Sequence, residues 1–99
     1  MLQAAFLFLS QDANSTKNRT VIATPSVELT VVGVIDYADA VNVTKALVSD
    51  GCKCIELCGG FGFSGTAKIV EAVDDEASVG VVRFDCHPGL NGESGDKLF

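Results

Sequence analysis

Apolar residues follow two rhythms along this chain. Leu2 to Leu9 is an apolar run broken only by Gln3, and it reads as a central strand covered on both faces. Val27 to Val34 is rich in β-branched residues, with Glu28 and Thr30 interrupting one face, and reads as a strand at a sheet edge. Cys54 to Cys58 and Val79 to Asp85 are shorter stretches of the same kind. Between them the spacing changes to that of a helix. Tyr37, Ala40, Val41, Thr44, Leu47 and Val48 fall on one stripe; Ile69, Val70 and Val73 fall on another. Asp36 is placed as the N-cap of the first of these helices, with Asp39 in the capping-box slot and Gly51 as its left-handed terminator. The second runs from Thr66 to Val73. A further short helix is predicted from Ser15 or Thr16 through Val21, Ile22 and Ala23, ended by Thr24-Pro25.

The predicted order is β-α-β-α-β-α-β over residues 1–99, a single α/β domain of three layers. Helical crossovers imply a parallel sheet of four strands joined right-handedly. The spatial order 2-1-3-4, as in flavodoxin-like folds, puts the apolar first strand inside and covers both faces. The alternative is the consecutive order of a half-barrel, which leaves one face bare and requires a partner.

Apolar residues make up 47% of the chain and charged residues 20%, the balance of a packed globule rather than a disordered segment. So small and apolar a domain has reason to cover its faces by forming a homo-oligomer. The net charge of -6 and the lack of a basic cluster argue against nucleic acid and against anionic membrane surfaces. The first nine residues lack the basic flank and cleavage site of a signal peptide, so the expected location is cytoplasmic. The cysteines, Cys52, Cys54, Cys58 and Cys86, are then reduced thiols. Their spacing matches no zinc pairing, so no metal is assigned, and buried inert thiols are the better reading for Cys52, Cys54 and Cys86.

Chemistry gathers at two places. Gly59, Gly60, Gly62 and Gly65, with Ser64 among them, lie between a strand and a helix. Glycine lets a ligand approach the backbone, and the helix N-terminus offers unpaired N–H groups to an anion. The same glycines would serve equally in a tight loop of purely geometric purpose. Arg83, Asp85 and His87 lie at and just beyond the end of the next strand, and parallel strands would bring both clusters to one sheet edge, where α/β proteins place ligands. Glu56 and Arg83 would then pair across neighbouring strands, either as a structural ion pair or to orient a ligand. Cys58 with His87 would make a nucleophile couple, with Asp85 orienting the imidazole. Alternatively, His87 is a general base, or merely the cap of a His-Pro-Gly turn. Phe61 and Phe63 would wall an apolar pocket or fill a subunit contact.

The run Ile55 to Val73, around Glu56-Leu57-Cys58-Gly59-Gly60-Phe61-Gly62, resembles a family of small bacterial proteins of unknown function. So does the run from Val79 to Asp96, with Arg83-Phe84-Asp85, His87-Pro88-Gly89-Leu90 and Ser94-Gly95-Asp96. The likeness extends more loosely to Val27–Val34. It implies a compact α/β domain and no activity. Cys52, Cys54 and Cys86 fall outside the pattern.

The expected function is therefore binding of a small anionic metabolite at the Gly59–Gly65 loop, with Arg83, Asp85 and His87 completing the pocket. The alternatives are a small lyase, isomerase or hydrolase using His87 and Cys58, and a structural or regulatory oligomer subunit. No cofactor is named by any motif.

Overall fold

The computed structural model describes residues 1–99. Strands β1 (Leu2–Leu9), β2 (Arg19–Ala23) and β3 (Val27–Val34) come first; helix α1 (Tyr37–Ser49), strand β4 (Cys54–Leu57), helix α2 (Phe63–Val73) and strand β5 (Ser78–Val81) follow. Two single 3-10 turns, Pro88–Leu90 and Gly95–Lys97, punctuate the tail. The strands form one sheet in the order β2-β3-β1-β4-β5. β3, β1, β4 and β5 are parallel, and β2 runs antiparallel to β3.

The expected wholly parallel sheet of four strands is thus corrected to a mixed sheet of five. The difference lies at residues 15–23, where the predicted helix is replaced by a turn and a strand. Asn14 accepts from the backbone N–H groups of Thr16 and Lys17, which uses residues 14–18 as a turn. Thr20, Val21 and Ile22 are all β-branched, suit an extended backbone, and pair with Val31, Thr30 and Leu29. Thr24 closes the hairpin, its Oγ1 accepting from Val27 N–H at 3.1 Å. β3 is consequently interior, not the edge strand that its Glu28 and Thr30 suggested.

This replacement also changes the number of layers. α1 carries the chain from β3 across β1 to β4, and α2 carries it onward to β5. Both steps cross the sheet in the same direction, so right-handed crossovers put both helices on one face. A helix between β1 and the next parallel strand would have covered the other face, but the β2 hairpin stands in its place. The domain has two layers. On the helical side Ala5, Leu7, Val32, Val34, Ile55 and Leu57 are completely buried beneath Ala40, Leu47, Ile69 and Val73. On the other side Phe6, Phe8, Leu29 and Val31 are only half-buried.

Asp36 caps α1 as its position predicts, accepting from Asp39 N–H at 2.8 Å, and Asp39 in turn accepts from Ile35 N–H at 3.0 Å. Gly51 closes the helix with φ of 107°. The inward stripe holds Tyr37, Ala40, Val43, Thr44, Leu47 and Val48, with Val41 at its margin. In α2 Ile69 and Val73 face the core, whereas Val70, placed inward by the spacing, is exposed.

Candidate functional site

β4 ends at Leu57, and the chain then passes through Cys58 to Gly62 into α2. Gly62 is the N-cap of α2 and has no side chain with which to cap it. The missing acceptor comes from the tail. Asp96 accepts from Ser64 N–H at 2.9 Å, from Gly65 N–H at 3.1 Å and from the Tyr37 hydroxyl at 2.8 Å. Tyr37 Oη in turn accepts from Gly62 N–H at 3.1 Å. This cap starts α2 at Phe63, earlier than the Thr66 that spacing predicts.

The glycines make room for this arrangement. A Cβ on Gly62 would collide with Asp96 and Ser94, one on Gly65 with the Tyr37 ring, and one on Gly95 with the Gly60 carbonyl. The anion held by these N–H groups in this structure is the chain's own carboxylate. Burial pushes the Asp96 carboxyl upward, but bonds from Ser64, Gly65 and Tyr37 and the Lys68 charge outweigh it, and the net shift is downward. Burial pushes the Tyr37 hydroxyl up to about 12, helped by the neighbouring Asp96 and opposed by the Gly62 N–H. Phe61 is buried and stacks on Tyr37 at 5.4 Å, so it belongs to this clamp, while Phe63 is 95% exposed.

Cys58 occupies a different part of the same edge. Its Sγ accepts from Leu9 N–H and Gly60 N–H, each at 3.4 Å. It therefore lies between the carboxyl ends of β1 and β4, where connections leave the sheet in opposite directions. Phe84 and His87 rest over Gly59, where an added Cβ would lie 2.7 Å from Phe84 Cε2 and 3.2 Å from His87 Cδ2. The two rings sit 4.6 Å apart. His87 Nδ1 accepts from Gly89 N–H at 3.0 Å and caps the 3-10 turn at Pro88–Leu90. Neutral His87 so bonded carries its proton on Nε2. The Gly59 N–H has no partner in the protein.

Two expected pairings are not made. β5 stops at Val81, so Arg83 and Asp85 lie beyond the sheet, bonded to each other at 2.9 Å and both largely exposed. Arg83 therefore does not pair with Glu56, which is exposed on the open sheet face between Phe6 and Gly80. Nor does Asp85 orient His87; the Gly89 N–H does. All four cysteines are free: Cys52 buried, with burial raising its thiol, Cys54 half-buried and Cys86 exposed. The residues that spacing did not single out are Tyr37, as a clamp rather than core, and Asp96. The available signal was a helix whose N-cap is a glycine.

Two open hollows lie away from Cys58 and His87. One of about 430 Å³ sits between residues 13–16 and the start of α1, and one of about 490 Å³ lies at the far ends of both helices. No helix is long and apolar enough to cross a membrane.

Fold and edge together define a two-layer α/β domain whose carboxyl edge is closed by its own tail. The chain belongs to the family of unknown function DUF6506, whose model matches residues 2–97. No curated protein and no solved structure matches it.

Proposed function

We propose that the protein binds a small anionic metabolite at the Gly59 end of its glycine-rich loop. One observation carries this reading: the Ser64 and Gly65 donors are satisfied by Asp96, whereas the Gly59 N–H and His87 Nε2 have no protein partner, and the His87 ring lies over Gly59. In this reading Gly59 N–H and His87 Nε2–H donate to the anion, Phe84 shields it, and Arg83, paired with Asp85, stands at the rim. Titration with inorganic phosphate and with small mono- and dicarboxylates, followed by amide and imidazole NMR shifts, tests it. The expected result is that Gly59 and His87 shift while Ser64 and Gly65 stay fixed, and that His87→Ala abolishes the response. Shifts confined to Ser64 and Gly65, or none with any probe, would overturn it.

A second reading, a small lyase, isomerase or hydrolase with Cys58 as nucleophile, is favoured by the two N–H groups that fix its sulphur at the sheet edge. Alkylation by iodoacetamide, mapped residue by residue, checks it against an internal standard. Cys58 should react faster than the exposed Cys86, and a slower Cys58 removes the nucleophile.

A further inference from the structure

The side of the sheet away from the helices has the composition of an interior. Sheet register puts Phe6 and Phe8 of β1, Leu29 and Val31 of β3 and Ile22 of β2 on it, and its only charged strand residue is Glu56. Parallel sheets ordinarily bury both faces, and the two central strands β1 and β3 present no polar side chain on this one. The central strand exposes part of two phenylalanines here, while its opposite side is completely buried at Ala5 and Leu7.

We propose that this face is the interface of a homodimer, with two copies packed sheet to sheet. The area is of the right order: the 29 strand residues, at about 3.3 by 4.8 Å each, cover roughly 460 Å² in projection, and side-chain relief adds to the accessible surface. Each partner of a stable dimer gives up about 800 Å² of accessible surface. The charge fits as well. Of a chain with net charge -6, this face presents one carboxylate, so it is where two such acidic molecules meet with least repulsion. The relief is self-complementary. Phe6, Phe8, Leu29 and Val31 make a ridge on β1 and β3, whereas Ser78 and Gly80 on β5 make a trough, and a Cβ on Gly80 would meet nothing within 4 Å. A two-fold axis along the central strand β1 lays β1 against β1, β3 against the partner's β4, and Ile22 of β2 against the partner's Ser78–Gly80 trough.

This proposal stands independently of the small-anion reading. Its test uses two neighbours on edge strand β2. Ile22 and Val21 are equally accessible, at 57% and 53%, but they project from opposite sides of the sheet. Sedimentation equilibrium of the full chain at micromolar concentration should show a dimer. Ile22→Glu should raise the dimer dissociation constant roughly 100-fold, two steps of tenfold for the two copies of the charge, while Val21→Glu leaves it within about twofold. A monomeric wild type, or a Val21→Glu as disruptive as Ile22→Glu, would overturn the proposal. A circular dichroism melt confirms that both variants are folded.

Discussion

The two helices begin in opposite ways. α1 is capped by Asp36, three residues from the N–H it serves; α2 is capped by Asp96, 31 and 32 residues from the groups it serves. Both solutions place a carboxylate at the positive end of a helix. The first costs only a local turn. The second ties together α2, α1 through Tyr37, and the tail, so one carboxylate holds three segments. A glycine N-cap therefore does not mean an uncapped helix. It can mean that a helix takes its cap from elsewhere, and the glycine keeps the approach clear for it.

Breaking the remote cap should have the larger effect. Asp96→Ala removes three hydrogen bonds and leaves the Ser64 and Gly65 N–H groups without their acceptor, and about 2 kcal/mol of stability is expected to go with them. Differential scanning calorimetry should show a melting temperature lower by roughly 10 °C for a domain of this size. The same site predicts a pH dependence. The Asp96 carboxyl is depressed in the folded state, so its contribution is complete above the unfolded value near 4 and is lost as pH falls through the folded value below it. The gap between Asp96→Asn and wild type should therefore shrink on acidification. Breaking the local cap is the smaller effect: Asp36→Ala should cost about 1 kcal/mol in urea unfolding. If the two substitutions cost the same, the remote cap is no more than a local one and the three-segment clamp carries no extra stability.

What the sequence revealed follows the same division. Asp36 and Asp39 were readable because cap and helix lie within one turn of each other. The parallel strands were readable from long apolar runs. β2 was not, because Ser15 or Thr16 and Thr24-Pro25 have the form of a helix start and stop, and in the pattern these end signals mask the β-branched Thr20, Val21 and Ile22. The Glu56–Arg83 pair was inferred by extending β5 to Asp85, and it vanished when the strand ended at Val81. At the glycine loop the sequence located the edge correctly. Asp96 stood out only as part of the family-like Ser94-Gly95-Asp96 run, and its spacing of about thirty residues from the helix start gave nothing to connect the two. Cys58 and His87 do share that edge, but the bonds that orient each of them come from backbone N–H groups, which no pattern of residue types displays.

The remote cap has a consequence for how the protein is made. At about 5–20 residues per second, Asp96 is synthesised roughly 2–6 s after Ser64. α1 has its cap as soon as its first turn exists, whereas the first turn of α2 must wait for the tail. During that interval the amides of Ser64 and Gly65 belong to water or to any free anion. The nascent chain thus passes through a form that the finished domain, with its own carboxylate in place, no longer shows.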